Sequence, residues 1–526
     1  MALCLTLLEC ASIQGYVFAS NRLREAIGGS FLVKQATDDL LYRVLVELGP
    51  NAADVEGWKT AGPPAIFMDG TDLQAEVLYV GGGNAAVLFI DRDRAVQVVR
   101  RLSSLLLACA PGLSLLAAHA EFAPGEARAL RRAFDAAAAK LGDQKTEGRI
   151  GLRREGLAVT RACATTGGAA TIAYAASDGG IEWLSAAAAA RRQAAADAES
   201  AMRRTFAEVT QQGYHFPLDL DDLGGREGES HLAVVHIDGN GIGQRLLDTL
   251  AAYQDDNWRL VAALRTFSRR ISTAADRALQ GLLDDLIEAL PRLQEQGLSI
   301  SWEGRQIYFP FRPLLYGGDD LTFVCDGRLG LPLAARYLDL FSRETDDEGK
   351  SLSACAGVAI ARTHFPLVRA YRLSEELCQQ AKHSAGNPRE SSWLDFHVIF
   401  GGLTDDLTAL RDAYPGLYWR PWQVDGVHDA QGWPYFRDLL HRFQHWPRTQ
   451  VKGLRDAIEQ GPERTREILE QARLRDLSYP DAPKLVLHGG WAGGKRTPLY
   501  DPIEALDFFL DVEDAHATVP ARQAAQ

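Results

Sequence analysis

The chain has 526 residues, which is enough for three or four domains at about 150 residues each. Its hydrophobic fraction of 46% and charged fraction of 24% are ordinary for a globular protein with a sizeable core. The formal net charge of −13 excludes a stand-alone duplex-binding protein, because no broad basic face is available to bind the phosphate backbone.

The first region, residues 1–140, mixes predicted strands and helices. MALCLTLLEC begins like a signal peptide, but Glu9 interrupts its apolar run and no basic segment precedes it, so we interpret it as a buried strand. EVLYVGGGNAAVLFID predicts two strands joined by a glycine-rich turn. Apolar residues at helical spacing predict helices at 37–48 and 93–109.

The second region, residues 141–228, is rich in alanine and in charged residues. Alanine runs at 186–190 and 194–196 lie among arginines and acids, a pattern typical of a helix with one narrow apolar face. We therefore expect a helical spacer without a chemical role.

The third region, residues 229–402, again alternates strands and helices. HLAVVHID, IYFPFRPLLY, LTFVC and LSACAGVAIA predict strands, and helical spacing covers 259–293 and 367–382. This order is that of a ferredoxin-like palm, an antiparallel sheet with helices on one face. The sequence thus predicts the α+β class, with two palm domains, a helical spacer and a helical C-terminal domain.

The last regions are a helix-rich, aromatic domain at 403–512 and a tail at 513–526 that we expect to be disordered. No apolar run reaches the roughly 18 residues of a membrane helix. The seven cysteines include no Cys-x-x-Cys pair, which argues against a zinc knuckle and indicates reduced thiols. We expect a cytoplasmic protein without a membrane partner.

Two segments of the chain are alike in layout, VLYVGGGNAAVLFID and LLYGGDDLTFVC. Both place Leu-x-Tyr before a glycine-rich turn and an apolar strand after it, which indicates duplication of one unit. Gly83 and Asn84 stand where the second copy has Asp319 and Asp320. Only the second copy is therefore expected to hold divalent metal.

The main chemical signal is the run Gly317-Gly318-Asp319-Asp320 between two predicted strands. Both glycines tolerate the positive φ of a tight turn. Asp238 ends the strand HLAVVHID, and in a palm sheet it lies beside this turn. Convergent carboxylates are ligands for Mg²⁺ or Mn²⁺, and two ions about 4 Å apart activate a 3′-hydroxyl and stabilise a pyrophosphate leaving group.

Two further features favour a phosphate-bearing substrate. Gly239, Asn240 and Gly241 follow Asp238 and open a helix, whose free N–H groups suit a triphosphate. Lys382, at the end of a predicted helix, places an ammonium where phosphate oxygens would lie. A plain turn and a dipole-favoured lysine are the alternatives.

Together these motifs resemble the nucleotide-cyclase palm, and more specifically the large palm-domain subunit of type III CRISPR effector complexes, the cyclic-oligoadenylate synthetase. SIQGYVFASNRLREAIGGSFLV is similar to that family's first palm, SSWLDFHVIF to the end of its second palm and TPLYDPIEALDFF to its C-terminal domain.

The resemblance implies two facing palms, each holding an ATP, and formation of 3′–5′ linkages between them. It implies that Asp238 and Asp319 bind metal with Asp320 beside them, and that Lys382 meets phosphate. It further implies a place near the acceptor nucleotide for three residues, Gly28, Gly29 and Ser30.

The sequence departs from the family in two respects. It starts directly in the first palm without a His-Asp nuclease domain, and it has no cysteine pair for a zinc element. We therefore expect a reduced form, acting with other CRISPR subunits, guide RNA and target RNA, or as a homodimer. A non-catalytic palm scaffold and a cyclic-dinucleotide synthase related to diguanylate cyclases stay open, although Asp320-Leu321 replaces the Glu-Phe of the latter.

Overall fold

The computed structural model describes residues 2–49, 73–147, 159–175, 179–223, 230–346, 349–386, 389–401, 407–414, 416–425 and 429–513. Most of the predicted disordered tail, residues 514–526, lies outside these ranges. All seven cysteines lie within them as free thiols. None of the helices in the described ranges combines the length and the apolar character that crossing a bilayer requires.

The first sheet has four antiparallel strands in the order β2-β3-β1-β4, the arrangement of a ferredoxin-like unit. Alternate residues of β1 enter two different clusters, with Leu5 and Leu7 on one face and Cys4 and Leu8 on the other. Burial on both faces explains the continuous apolar run at the start of the chain. The elements are β1 (Leu3–Ala11), α1 (Ile13–Val17), α2 (Leu23–Thr37), α3 (Asp39–Val46), β2 (Ala75–Gly81), β3 (Asn84–Phe89), α4 (Arg92–Cys109), β4 (Ser114–Phe122) and α5 (Ala129–Thr146).

The segment between the two main sheets contains strands as well as the expected helix. A β-hairpin of β5 (Ile172–Ala175) and β6 (Ile181–Leu184) leads into the alanine-rich helix α6 (Ala186–Thr205). Short elements follow, α7 (Ala207–Gln211), β7 (Tyr214–His215) and a 3-10 turn at Leu220–Asp222. The Ser185 side chain accepts a hydrogen bond from the Ala188 N–H and so caps α6.

The second sheet has six strands in the order β11-β12-β8-β13-β14-β15, and its first four repeat the order of the first sheet. The predicted single run IYFPFRPLLY is wrong: it divides at Phe309-Pro310, and β10 pairs with β7 and β9 instead. Proline has no N–H to continue a strand ladder, which accounts for the break. The elements are β8 (His231–Gly239), α8 (Ile242–Ala252), α9 (Asn257–Glu295), β9 (Trp302–Glu303), β10 (Gln306–Tyr308), β11 (Phe311–Leu315), β12 (Leu321–Asp326), α10 (Gly330–Ser342), β13 (Ala354–Arg362), α11 (Leu367–Ser384) and β14 (Trp393–Val398).

The C-terminal part is helical and packs its aromatic side chains inward, with Trp422 completely buried. Its short strand β15 (Trp422–Gln423) extends the second sheet. The remaining elements are α12 (Leu407–Asp412), α13 (Trp433–Gln444), α14 (Arg448–Gln460), α15 (Pro462–Arg473), β16 (Leu487–His488), β17 (Trp491–Ala492), α16 (Tyr500–Ala505) and a 3-10 turn at Leu506–Phe508.

One hydrophobic cluster, which we call the shared cluster, joins the two sheets. It contains Val17 and Val87 from the first sheet region, Ala195 from α6, and Val234 and Val324 from the second sheet. The two sheets therefore pack against common apolar side chains, and the space between them is a fixed feature of the fold.

Candidate active site

Three carboxylates from two separate segments meet at one edge of the second sheet. Strand β12 pairs antiparallel with β8, so that Leu321 lies opposite Ile237. Asp238 at the end of β8 therefore lies beside Asp319 and Asp320, which immediately precede β12. One carboxylate oxygen from each of the three lies within 4.8 Å of the others.

Glycine makes this approach possible on both strands. Gly317 and Gly318 have φ of 103° and 135°, a region that side chains disfavour. On β8, a Cβ added to Gly239 would lie only 2.8 Å from the Cβ of Asp319. The absence of a side chain at Gly239 thus leaves the room that Asp319 fills.

The loop after Asp238 is held by the protein. Asn240 donates hydrogen bonds through Nδ2 to Ser353 Oγ at 3.2 Å and to the Ser391 carbonyl at 2.9 Å. Its backbone N–H donates to the Ser353 carbonyl at 2.8 Å. Asn240 is buried, so it anchors the loop to the neighbouring strands, which differs from the expected nucleotide contact. Gly241, with φ of 68°, begins α8.

Lys382 reaches the carboxylates from the last turn of α11. Its Nζ forms an ion pair with Asp238 Oδ2 and donates to the Gly239 carbonyl at 3.4 Å. The side chain is almost completely buried. In this structure Lys382 therefore pairs with a carboxylate, whereas the sequence predicted that it would meet a phosphate.

The pKa values of the other two carboxylates, Asp319 and Asp320, are raised. Burial, and then the charge of Asp238, raises the pKa of Asp319. Burial, and then the charges of Asp319 and Asp238, raises the pKa of Asp320 well above its ordinary value, although its side chain opens to the cavity described below. Crowded carboxylates that resist ionisation are the arrangement that a bound cation relieves.

A cavity of about 460 Å³ lies between the two sheets and is lined from both. Asp320, Tyr316 and Gly317 line it from the second sheet, and Ser30 and Lys34 of α2 line it from the first. The two glycine-rich turns meet at its edge, where the Gly82 N–H donates to the Gly317 carbonyl at 3.4 Å. Asp320 therefore faces a space that both sheets enclose, with Asp238 and Asp319 beside it.

Several residues that line the cavity were not predicted from the sequence, among them Lys34, Ser272 and Asp276. Lys34 Nζ lies 4.5 Å from the centroid of the Tyr316 ring, so the first half supplies a cation beside the glycine-rich turn. Ser272 and Asp276 of α9 line the same cavity. Helical periodicity predicted α9 but not α2, which lies before the first predicted helix at 37–48. Periodicity also does not show which turns of a helix face the second sheet.

The three residues expected near an acceptor nucleotide are not equivalent. Ser30 lines the cavity, whereas Gly28 and Gly29 face α6. A Cβ on Gly28 would lie 1.7 Å from the Arg191 carbonyl oxygen, and one on Gly29 would lie 3.0 Å from the Arg191 side chain. The two glycines therefore allow two helices to approach closely, and they are absent from the cavity lining.

One segment of the chain, which contains most of the second sheet, matches a known family. Residues 231–390 match the family model described as Cas10/Cmr2, second palm domain. These residues are similar to a Cas10/Cmr2 second palm domain. The match confirms the predicted resemblance and the predicted α+β class with palm domains. No curated protein matches the chain by sequence.

Solved structures share the fold of nearly the whole chain. A chain of the Csm1–Csm4 cassette in complex with cA4 aligns at a TM-score of 0.52 and 14% identity, over 97% of this chain and 70% of that one. The cassette in complex with AMPPNP gives 0.51 and 14%, over 97% and 69%. The Csm1–Csm4 subcomplex in the type III-A CRISPR-Csm interference complex gives 0.50 and 13%, over 96% and 69%. At these identities the alignments show a common fold and nothing further.

Proposed function

We propose that this chain is an ATP-dependent nucleotidyltransferase that makes cyclic oligoadenylate for type III CRISPR-type antiviral defence. The observation that carries the proposal is the meeting of Asp238, Asp319 and Asp320 at the edge of a cavity that both sheets line. The solved relatives in complex with cA4 and AMPPNP support adenine nucleotides as substrate and product.

The donor set fits Mg²⁺ or Mn²⁺. Both are hard cations that prefer carboxylate oxygens, and the three carboxylates offer oxygens within 4.8 Å of one another. Asp238, Asp319 and Asp320 would hold the ions, of which we propose two. When bound, the cations would supply charge neutralisation on the phosphates and acidification of the attacking hydroxyl.

The side chains around the carboxylates position the substrate. The cavity of about 460 Å³ lies within the usual range of roughly 300–1,000 Å³ for ligand sites. Lys34 places its ammonium in the cavity beside Tyr316, where it would meet phosphate oxygens. Without a cation, burial and then the charges of Asp319 and Asp238 raise the pKa of Asp320, so that its carboxyl holds a proton more readily than an ordinary aspartate. Catalysis would rest mainly on positioning and on charge stabilisation.

Other CRISPR subunits, guide RNA and target RNA are the partners we propose, with a homodimer as the alternative and the cytoplasm as the location. The solved relatives that pair Csm1 with Csm4 support the first arrangement.

A scaffold role is the second candidate, and one observation favours it. Lys382 Nζ already pairs with Asp238 Oδ2, and this contact satisfies one of the three carboxylates without a metal ion. A palm kept for its shape alone would retain such a pair.

Product analysis tests these alternatives. We would incubate the wild type and Asp319→Asn/Asp320→Asn with labelled ATP or GTP and Mn²⁺, alone and with type III effector subunits and target RNA. Asp197→Asn/Glu288→Gln, which changes two exposed helical acids, is the matched control. We expect cyclic oligoadenylate from the wild type and the control, and at least about 100-fold less from the double variant.

Three other results would contradict the proposed function or favour one of its alternatives. Equal output from the double variant would remove these aspartates from the mechanism. A product made only from GTP would indicate a cyclic-dinucleotide synthase, and the absence of product with every partner present would indicate a scaffold.

A further inference from the structure

A second and larger cavity, of about 580 Å³, lies on the far side of α11 from the carboxylates. Tyr371 of α11 lines the inter-sheet cavity, whereas Arg369 and Arg372 of the same helix line the second one. Its other walls come from the end of β14 and from the C-terminal helices. The two linings have no residue in common, so we call the second one the rear pocket.

One wall of the rear pocket is basic. Arg369 and Arg372 lie three residues apart on α11 and therefore on one face of that helix. Both side chains are exposed, and within the ranges that the structure describes neither guanidinium forms an ion pair or a hydrogen bond. Two guanidiniums on one face match the oxygens of a phosphate group.

The acids of the rear pocket interact with groups other than Arg369 and Arg372. Glu504 pairs with the buried Arg420, and Glu459 Oε1 lies 3.5 Å from Arg455 Nε. Glu376 of α11 has a partner of its own. Arg369 and Arg372 are therefore the two arginines of the lining that form no described ion pair, although Arg372 also lies near the charge of Glu375.

The opposite wall is aromatic. Phe400 and Tyr414 are 54% and 52% exposed, unusual values for large apolar side chains, and both line the rear pocket. Arg455 lies 5.6 Å from the Phe400 ring centroid and 5.8 Å from that of Tyr500. Exposed rings beside arginines are typical of sites where bases stack.

His397 forms part of the inner surface of the rear pocket. Burial and the charges of Arg420 and Arg411 lower its pKa to about 3, so the imidazole is neutral at pH 7. A neutral imidazole offers one donor and one acceptor, which can pair with the edge of a base.

We propose that the rear pocket binds a nucleotide, with its phosphate on Arg369 and Arg372 and its base against Phe400 and Tyr414. The volume of about 580 Å³ is within the range of pockets that enclose a ligand of this size. A free nucleotide and a nucleotide of single-stranded RNA present the same phosphate and base. The site is independent of synthesis in the inter-sheet cavity.

Binding measurements on the full chain test this proposal without reference to catalysis. The Asp319→Asn/Asp320→Asn background in EDTA removes metal-dependent binding between the sheets. Calorimetry would then use ATP, AMP, adenosine and a short single-stranded oligoadenylate as probes. We expect ATP and AMP, or the oligoadenylate, to bind at one site, and adenosine to bind at least about tenfold more weakly because it lacks the charged phosphate.

Variants in that background locate the site. Arg369→Ala/Arg372→Ala should weaken the phosphate-bearing probes at least about tenfold and leave adenosine unchanged. Phe400→Ala/Tyr414→Ala should weaken every probe by about tenfold through lost stacking. Arg100→Ala/Arg305→Ala, a change of two exposed arginines outside both cavities, is the matched control and should bind as the background does.

Photocrosslinking gives a second measurement that does not depend on the variants folding. An azido-adenine nucleotide should label peptides that contain Phe400 or Tyr414. Tighter binding of ATP than of the oligoadenylate would identify a free nucleotide as the ligand, and the reverse would identify RNA. Absence of binding by all phosphate-bearing probes, or labelling confined to other peptides, would overturn the proposal.

Discussion

Arg312 Nη1 donates a hydrogen bond to Glu199 Oε2 at 2.6 Å, and the arginine side chain is 0% exposed. Glu199 belongs to α6, and Arg312 belongs to β11, the strand that leads into the glycine-rich turn of the active site. Phe206, just after α6, also lies 5.8 Å from the Tyr316 ring. Helix α6 therefore packs against the strand and the glycine-rich turn that carry the candidate site, and it also contacts α2.

This pair makes a clear prediction for stability. Glu199→Ala leaves the buried Arg312 without its acid, and loss of one partner of a buried ion pair costs about 3–5 kcal/mol. We expect a loss of that size in the free energy of unfolding, measured by urea titration. Glu199→Leu/Arg312→Met should recover most of it, since no buried charge remains. Equal destabilisation by the single and the double change would contradict this account.

Gly239→Ala should impair metal binding more than folding. The added methyl group would lie 2.8 Å from the Asp319 Cβ and would push that carboxylate away from Asp238. We expect Mn²⁺ affinity, measured by electron paramagnetic resonance, to fall at least about tenfold. Gly243→Ala is the control, because a Cβ there meets no atom within 4 Å. If both variants bind Mn²⁺ equally, the close approach of Gly239 to Asp319 is not required for metal binding.

Stability should depend on pH through Asp319 and Asp320. Their pKa values are raised in the folded protein, so they stabilise it at low pH and this contribution is lost as pH rises from the ordinary value of 3.8 through the folded-state pKa. In EDTA at pH 7, Asp320→Asn should therefore have a Tm roughly 1–3 °C above the wild type. The difference should vanish near pH 4. A difference independent of pH would mean that the carboxylates do not repel each other.

Added Mn²⁺ should reverse that order at pH 7. A ligand that binds only the folded state raises its Tm, and the wild type has the complete set of carboxylates. Asp320→Asn should gain less than the wild type at each Mn²⁺ concentration, as differential scanning fluorimetry would measure. Equal gains would place the ion away from Asp320.

Gly28→Ala should destabilise the junction of α2 and α6. The new Cβ would lie 1.7 Å from the Arg191 carbonyl oxygen, a backbone atom that cannot move without the helix. We expect a loss of about 1–3 kcal/mol in unfolding free energy, as for other overpacked sites. Gly142→Ala, in a helix with open space around the position, should instead gain up to about 1 kcal/mol. If Gly28→Ala were as stable as the wild type, α2 and α6 could move apart without cost.

The sequence predicted the parts of the site that depend on strand order. Asp238 and Asp319 follow from the expectation that adjacent strands of a palm end at one edge, and the palm class itself is confirmed. Lys34 and Asp276 do not follow from any local pattern, because helix packing decides which turn of α2 or α9 faces the cavity. That information lies in contacts between residues far apart in the chain.

Two residues expected near the nucleotide make contacts within the protein. Gly28 and Asn240 lie in segments that resemble the family's nucleotide site, yet each faces protein in the structure. Gly28 faces the Arg191 backbone, and Asn240 binds Ser353 and Ser391. Glycine and asparagine can bind a ligand, but they can also allow close packing or anchor a loop. The residue type alone does not show which of these roles applies.

The shared cluster limits how the protein can be divided. Val234 and Val324 pack on side chains that come from the first sheet region and from α6. A recombinant fragment starting at residue 230 would expose this apolar surface to water, and exposed apolar surfaces of this kind promote aggregation. Expression of the part from residue 230 onward by itself would therefore yield aggregated material, while co-expression of both parts as separate polypeptides would restore a soluble product.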